Sequence, residues 1–133
     1  MPIELEMVLR LLLATTLGAA IGYQREKAGK PAGLRTIILV CTGAALFTIA
    51  SIYGFSASAE PSRVASGIVV GIGFLGAGAI MRRGEGTIEG LTTAATIWTA
   101  AAIGLAAGTG LYIISAVATA IVLIVLLLNL PTR

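Results

Sequence analysis

The chain has 133 residues, enough for one domain, and 57% of them are hydrophobic while only 11% are charged. A soluble domain carries about a quarter charged residues, so this composition predicts a protein whose main solvent is lipid. The sequence contains no His and no Asp, which excludes a Ser-His-Asp triad, a His-based metal centre and an aspartyl phosphate, and its net charge of +3 is too small for nucleic-acid binding. We therefore expect no enzyme active site, no cofactor, no metal site and no nucleic-acid partner.

Long stretches without charge predict the membrane spans. A helix needs about 20 residues to cross the bilayer core, and segments 36–57, 64–81 and 90–132 carry no charged residue. The last segment would form a helix about 65 Å long, so it is predicted to break at 108–110, where two glycines flank Thr109. The sequence thus predicts an all-α membrane protein, a compact bundle of about five transmembrane helices. Its single transmembrane domain covers 1–133, with spans at about 5–23, 36–55, 64–81, 91–107 and 111–130.

Charged residues near the spans predict how the bundle lies in the membrane. Arg10 interrupts the first span, but it is close enough to the end to reach the surface and to pair with Glu6, four residues earlier. Four Lys/Arg residues lie between the first two spans, and Arg82 and Arg83 follow the third. The positive-inside rule places both of these loops in the cytoplasm and predicts an N-out, C-in orientation. Acidic residues replace the basic start of a signal peptide, so the first span is expected to remain as an anchor.

Small residues mark the faces where helices in lipid can approach closely. The first span has Gly18 and Gly22, and the fourth has Gly104. The third span carries small residues on two nearly opposite sides; these are Gly67, Gly71 and Gly78 on one, and Gly73 and Gly76 on the other. The pattern predicts that the third span is the central helix or a subunit interface, unless glycine is simply frequent in membrane helices. The match to GxGxxG at 71–76 lies inside an apolar run and is interpreted as a packing motif.

Hydroxyl and thiol groups inside the spans have a structural and a functional interpretation. Thr92, Thr96 and Thr99 share one face of the fourth span. Each hydroxyl can bond to the carbonyl four residues earlier, or the three can form an interhelical seam or a polar lining. Cys41 lies in an apolar run, where it is expected to be a small buried residue and not a nucleophile.

The segment 24–36, between the first two spans, is the most polar part of the chain. Gly29, Pro31 and Gly33 favour a loop of defined shape. Two interpretations are open: the cations set topology and attract anionic lipid, or the loop is a structured ion-pair or ligand-recognition site. In the second, Arg25 and Arg35 would hold the ends of adjacent spans by pairing with a carboxylate at the same membrane surface, which is Glu26, Glu85 or Glu89. At the other surface, Glu60 before Ser62 is expected to stabilise a helix start.

Several of these stretches resemble the MgtC/SapB family, specifically its N-terminal transmembrane domain. They are IGYQRE at 21–26, AGLRT at 32–36, PSRV at 61–64, GIGFLGAG at 71–78 and GLTTAA at 90–95. The resemblance implies a family-motif polar site made of Arg25, Glu26, Arg35, Thr36, Glu60, Arg63, Thr92 and Thr93. The chain departs from the family pattern at four positions, with Gln24 for Glu, Glu60 for Asp, Gly67 for Gln and Glu89 for a basic residue.

The resemblance also implies a role. It is that of a multi-pass protein of the bacterial inner membrane, virulence-associated, with a regulatory or interaction role in adaptation to magnesium limitation or intracellular stress. Its partners would be the lipid bilayer, another membrane complex such as ATP synthase, and a homo-oligomer, with a dimer favoured. The alternative is a transporter or channel subunit for Mg²⁺ or another small solute, although none of the six Glu lies in a span core. Larger members add a soluble C-terminal domain, so the chain is expected to be a short member or a piece lacking it.

Overall fold

Five helices make up most of the described chain in the computed structural model, which describes residues 2–55, 60–83 and 87–128. They are α1 (Ile3–Lys27), α2 (Leu34–Tyr53), α3 (Ser62–Ala79), α4 (Leu91–Gly108) and α5 (Tyr112–Leu127). Each overlaps one of the five predicted spans, with ends that differ by about one helical turn at most. The predicted fold class, an all-α membrane bundle, is confirmed.

Length and composition allow four of these helices to cross a membrane, namely α1, α2, α3 and α4. The 16 residues of α5 extend only about 24 Å at 1.5 Å per residue, less than the bilayer core of about 30 Å. Residues 129–133 of the predicted fifth span lie outside the described residues. The fifth crossing and the N-out, C-in orientation therefore stay predictions.

A short antiparallel hairpin joins α3 to α4, where the sequence predicted only a loop. Strands β1 (Met81–Arg83) and β2 (Thr87–Glu89) pair so that Arg82 lies opposite Ile88. Ile80 ends α3 in an extended conformation, which directs the chain into β1. Three-residue strands are too short to show the alternation of apolar and polar residues from which a strand is predicted.

The core of the bundle lies between α1, α2 and α4, and α4 packs against each of the other four helices. Its most buried large side chains include Ile21, Ile37 and Ile103. In contrast, α3 buries only Ile68 and Gly76. The interpretation of the third span as the central helix is therefore wrong for the single chain. Its large apolar side chains face outward instead, with Phe74 78% exposed, because lipid solvates them as well as protein does.

The glycines of the described helices fall into two groups according to what a Cβ atom would meet. At Gly18 it would come 2.9 Å from the Cβ of Cys41, at Gly22 2.8 Å from the Cα of Leu34, and at Gly104 it would collide with the carbonyl oxygen of Cys41. These three glycines allow α1, α2 and α4 to pack backbone against backbone. A Cβ at Gly76 would make ordinary contact with Ala94 at 3.6 Å, while at four further positions of α3 it would meet nothing within 4 Å; these are Gly67, Gly71, Gly73 and Gly78.

Polar groups inside the bundle are mostly satisfied locally. The hydroxyl of Thr96 donates to the carbonyl of Thr92 at 2.7 Å, and that of Thr99 donates to Ala95 at 2.8 Å. Of the two interpretations of the α4 threonines, bonding to the preceding turn is therefore the one observed for this pair. The buried thiol of Cys41 donates to the carbonyl of Ala100 at 3.2 Å and so joins α2 to α4.

Candidate functional site

The loop between α1 and α2 folds back on the end of α1. The amide of Lys30 donates to the carbonyl of Arg25 at 3.0 Å, and Gly29 adopts a φ of +70° that reverses the chain direction. Ala32 also has a positive φ, of 56°. The start of α4 lies at the same end of the bundle, because Arg25 contacts Thr93. We call this region, where α1 ends and α2 and α4 begin, the Arg25 end.

Arg25 is the most buried charged side chain of the described part, with 2% of its surface exposed. One terminal nitrogen, Nη2, donates to the carbonyl of Pro31 at 2.7 Å and to the hydroxyl of Thr93. The guanidinium thereby joins α1, the loop after it and the first turn of α4. Its Nε has no hydrogen-bond partner in the described residues, and neither has the buried Oε1 of Gln24.

Glu26, the next residue, serves a different element. Its side chain is exposed, and its Oε1 accepts a hydrogen bond from the amide of Leu34 at 3.1 Å, at the first turn of α2. Among the described side chains, one ion pair is present, between Arg10 and Glu6. The predicted pairing of Glu26 with Arg25 or Arg35 is therefore not found. Successive helical residues point about 100° apart, and the free amides of α2 attract the carboxylate. Glu85 and the side chain of Glu89 lie outside the described residues.

The cap on α2 gives a direct prediction. Glu26→Ala should lower the free energy of unfolding by about 1 kcal/mol, the usual contribution of a side-chain cap. Glu26→Gln keeps an oxygen acceptor but loses the charge near the helix N-terminus, so it should lose less. Thermal unfolding of the purified protein, followed by circular dichroism, measures both. Lys27→Ala, at the exposed neighbouring residue, is the control, and an equal loss for Lys27→Ala and Glu26→Ala would contradict the capping role.

The structure divides the predicted polar-site residues between the two ends of the bundle. Arg35, Thr36 and Thr92 are exposed at the Arg25 end, where Thr93 is buried. Glu60 and Arg63 lie at the opposite end, before and within the first turn of α3. There the Oε1 of Glu60 accepts hydrogen bonds from the amide and the hydroxyl of Ser62, at 3.3 and 3.0 Å. The eight residues therefore do not form one site.

A second polar cluster, which the sequence did not predict, lies at this opposite end. The Nε of Arg10 pairs with Glu6 at 3.2 Å, as the four-residue spacing predicted, and its Nη1 also donates to the carbonyl of Gly108 at 3.2 Å. Its guanidinium lies 5.4 Å from the centre of the Tyr53 ring, and the hydroxyl of Tyr112 donates to Glu6. Four helices meet there, and the only sequence signal was the Glu6–Arg10 spacing.

The helices, their exposed apolar surface and the polar groups at both ends define a polytopic helical membrane protein. The MgtC family model matches residues 11–133, and the chain belongs to the MgtC family. It is a multi-pass protein of the bacterial inner membrane.

Three relatives show how far the similarity extends. YhiD of Escherichia coli K12, provisionally named a magnesium transporter, is 45% identical over an alignment of 128 positions that covers 91% of this chain and 59% of that protein. SrpB of Synechococcus elongatus is 43% identical over 88% of this chain and 71% of its own length. MgtC of Salmonella typhimurium LT2 is 48% identical over 87% of this chain and 49% of its own length. The chain thus spans about half to three fifths of YhiD and MgtC. No solved structure gives a significant match.

Proposed function

We propose that the chain is a regulatory membrane protein without catalytic activity, which acts by binding other membrane proteins through its helices. The process it serves would be bacterial adaptation to magnesium limitation or to stress inside host cells. Membership of the MgtC family supports the process. The exposed apolar outer surface of α3 supports the mode of action.

The observation that carries this proposal is an open apolar groove between α2 and α3, with a volume of about 560 Å³. Gly43, Gly67 and Gly71 line it, and a Cβ at any of them would meet nothing within 4 Å. Glycines that face outward in a membrane let the backbone of a partner helix approach closely, which is how helices associate in lipid. The groove therefore fits a transmembrane helix of a partner.

Two partners are proposed for this groove. A second copy of the chain would give a homodimer, in which the α3 glycines form the subunit interface. Another membrane complex, such as ATP synthase, would give the regulatory contact. In both associations a partner helix approaches the backbone closely at the groove glycines. A substitution that fills the groove should therefore weaken either association.

Filling the groove tests the proposal. Gly71→Leu should lower the association constant, for the second copy or for co-purified membrane proteins, at least about tenfold, equivalent to 1.4 kcal/mol. The folded single chain should be unaffected, because the side chain has room. Fluorescence energy transfer between labelled copies in lipid vesicles measures self-association, and affinity purification from membranes measures other partners.

Gly73→Leu is the matched control. Gly73 lies on the same helix and also has open space, but it does not line the groove. Gly73→Leu should leave the association constant unchanged. Because association is unchanged, growth of the bacteria at low magnesium should also be unaffected. Equal association for wild type, Gly71→Leu and Gly73→Leu would contradict the docking role of the groove.

The alternative function, transport of Mg²⁺ or another small solute, has one observation in its favour, the name carried by YhiD of E. coli. Mg²⁺ prefers carboxylate and water ligands. The carboxylates with described side chains lie near the helix ends, and the buried Arg25 places positive charge at one end of the bundle. An oligomer would have to bring Glu26 or Glu60 together into a ring. Uptake into protein-containing liposomes loaded with a Mg²⁺-sensitive dye, above that of protein-free liposomes, would favour transport over regulation.

A further inference from the structure

Two largely buried arginines of α1 mark the two ends of the apolar middle of the bundle. Residues 11–24, which lie between them, carry no charge. The guanidinium of Arg10 donates to the carbonyl of Gly108, the last residue of α4. That of Arg25 donates to Thr93, in the first turn of the same helix. Because α4 rises about 1.5 Å per residue, these two contacts lie about 23 Å apart along its axis.

Neither arginine is free to extend to the membrane surface. A guanidinium inside a span normally reaches the headgroups on its long side chain. Arg25, however, is 2% exposed, and the carbonyl of Pro31 also holds it at 2.7 Å. Glu6 and Gly108 hold Arg10, each at 3.2 Å. Each charge is therefore fixed at the level of its partners, and hydrocarbon can cover only about 23 Å of the bundle between them.

Helix α3 gives a second measure of this apolar length. Arg63 is exposed in its first turn, and the helix ends at Ala79, about 24 Å further on. The hairpin of β1 and β2 follows, and each strand of a two-stranded sheet has an outer edge of unpaired backbone groups. Hydrocarbon cannot satisfy such groups, so the hairpin must lie outside it. Helices α3 and α4 therefore agree on an apolar thickness of about 23–24 Å.

This thickness is smaller than that of a typical bilayer core, which is about 30 Å. A helix that is too long for the core can tilt, but a helix that is too short cannot stretch. When its flanking charges are fixed, the lipid around it must become thinner. The short helices cannot adjust separately, because α4 packs against each of the other four. A difference of about 6 Å therefore falls on the surrounding lipid.

We propose that the protein thins the bilayer around it and preferentially binds phospholipids with short acyl chains. The surface that contacts them is the belt of exposed apolar side chains between the two charged levels, which includes Phe74 of α3 and Trp98 of α4. Shorter chains cover this belt at their natural length. Longer chains must compress or bring hydrocarbon onto the charged residues, and both cost free energy. The preference does not depend on the groove between α2 and α3.

The lipid preference can be measured at Trp98, the one tryptophan of the chain, which is 55% exposed near the middle of α4. The full chain is reconstituted in brominated dioleoylphosphatidylcholine, whose bromines quench tryptophan fluorescence, and unbrominated phosphatidylcholines are then mixed in. Recovery of fluorescence gives the relative affinity of each lipid. Myristoleoyl chains should bind about twofold more strongly than oleoyl chains, and the longer erucoyl chains more weakly. Equal binding of all three, or strongest binding of oleoyl or erucoyl chains, would overturn the proposal.

Variants test whether the charged residues set the length of the belt. Arg10→Leu combined with Arg63→Leu removes both cations that limit the belt at one membrane surface, so the preference should move toward oleoyl chains. Arg63→Leu alone changes an exposed residue, so it should fold and show part of this shift. Lys30→Leu is the matched control, because it removes an exposed cation from the loop beyond the end of α1, and it should keep the wild-type preference. An unchanged preference in every arginine variant that folds would overturn the proposal.

Discussion

Gly104→Ala is expected to lower the free energy of unfolding by about 2–3 kcal/mol, or to prevent folding altogether. A Cβ at this position would collide with the carbonyl oxygen of Cys41 and would lie 3.0 Å from the Cβ of Ala44. The first of these atoms is backbone, which cannot turn away as a long side chain can. Relief would require α2 and α4 to move apart, and their contact is the centre of the bundle. Unfolding in mixed micelles, followed by circular dichroism, measures the loss.

Gly73→Ala is the control for this prediction. The same methyl group is added inside a helix, but at a position where it meets nothing within 4 Å. Alanine stabilises a helix by up to about 1 kcal/mol relative to glycine, so Gly73→Ala should be neutral or stabilising. Gly104→Ala should therefore lower the free energy of unfolding, while Gly73→Ala should leave it unchanged or raise it. A similar loss of stability in both variants would show that the contact at Cys41 does not limit the packing.

The sequence predicts the number of helices well, because the bilayer imposes a simple rule. A helix that crosses it must be long and nearly free of charge, and runs such as 36–57 are easily recognised. The order of packing is less predictable. Glycine shows where a backbone can be approached, but not which helix approaches it. Gly104 and Gly71 look alike in the sequence, yet one touches Cys41 and the other faces open space.

The sequence pointed to Arg25 and the loop after it, but it did not predict which residues Arg25 contacts. Arg25 and the loop after it were identified from their charges and glycines, and the structure does bring Arg25 to that loop. Its contact with Thr93, however, lies 68 residues further along the chain and depends on how α1 and α4 pack. The expected partner was a carboxylate at the same membrane surface, which is Glu26, Glu85 or Glu89. Adjacent helical residues diverge, however, and Glu26 caps α2 instead.

Arg10→Leu is expected to lower the free energy of unfolding by about 2–3 kcal/mol, the typical contribution of hydrogen bonds to a charged group. The Arg10 guanidinium donates to the carbonyl of Gly108 at the end of α4, and it lies over the ring of Tyr53 at the end of α2. Both helix ends carry partial negative charge, which a cation stabilises. The substitution would also leave Glu6 with Tyr112 but without its counter-ion.

Two further variants separate the charge of Arg10 from its shape. Arg10→Lys keeps the charge at the two helix ends, but an ammonium cannot bond to Glu6 and to Gly108 with the same fork, so it should recover only part of the loss. Arg63→Leu removes an exposed cation from the first turn of α3, where the helix dipole disfavours positive charge, and should change stability little or raise it. Unfolding midpoints in mixed micelles measure the relative stabilities of Arg10→Leu, Arg10→Lys and Arg63→Leu. If Arg10→Leu is as stable as Arg63→Leu, the cluster does not hold the four helix ends together, and the backbone contacts around Cys41 must account for the packing at both ends.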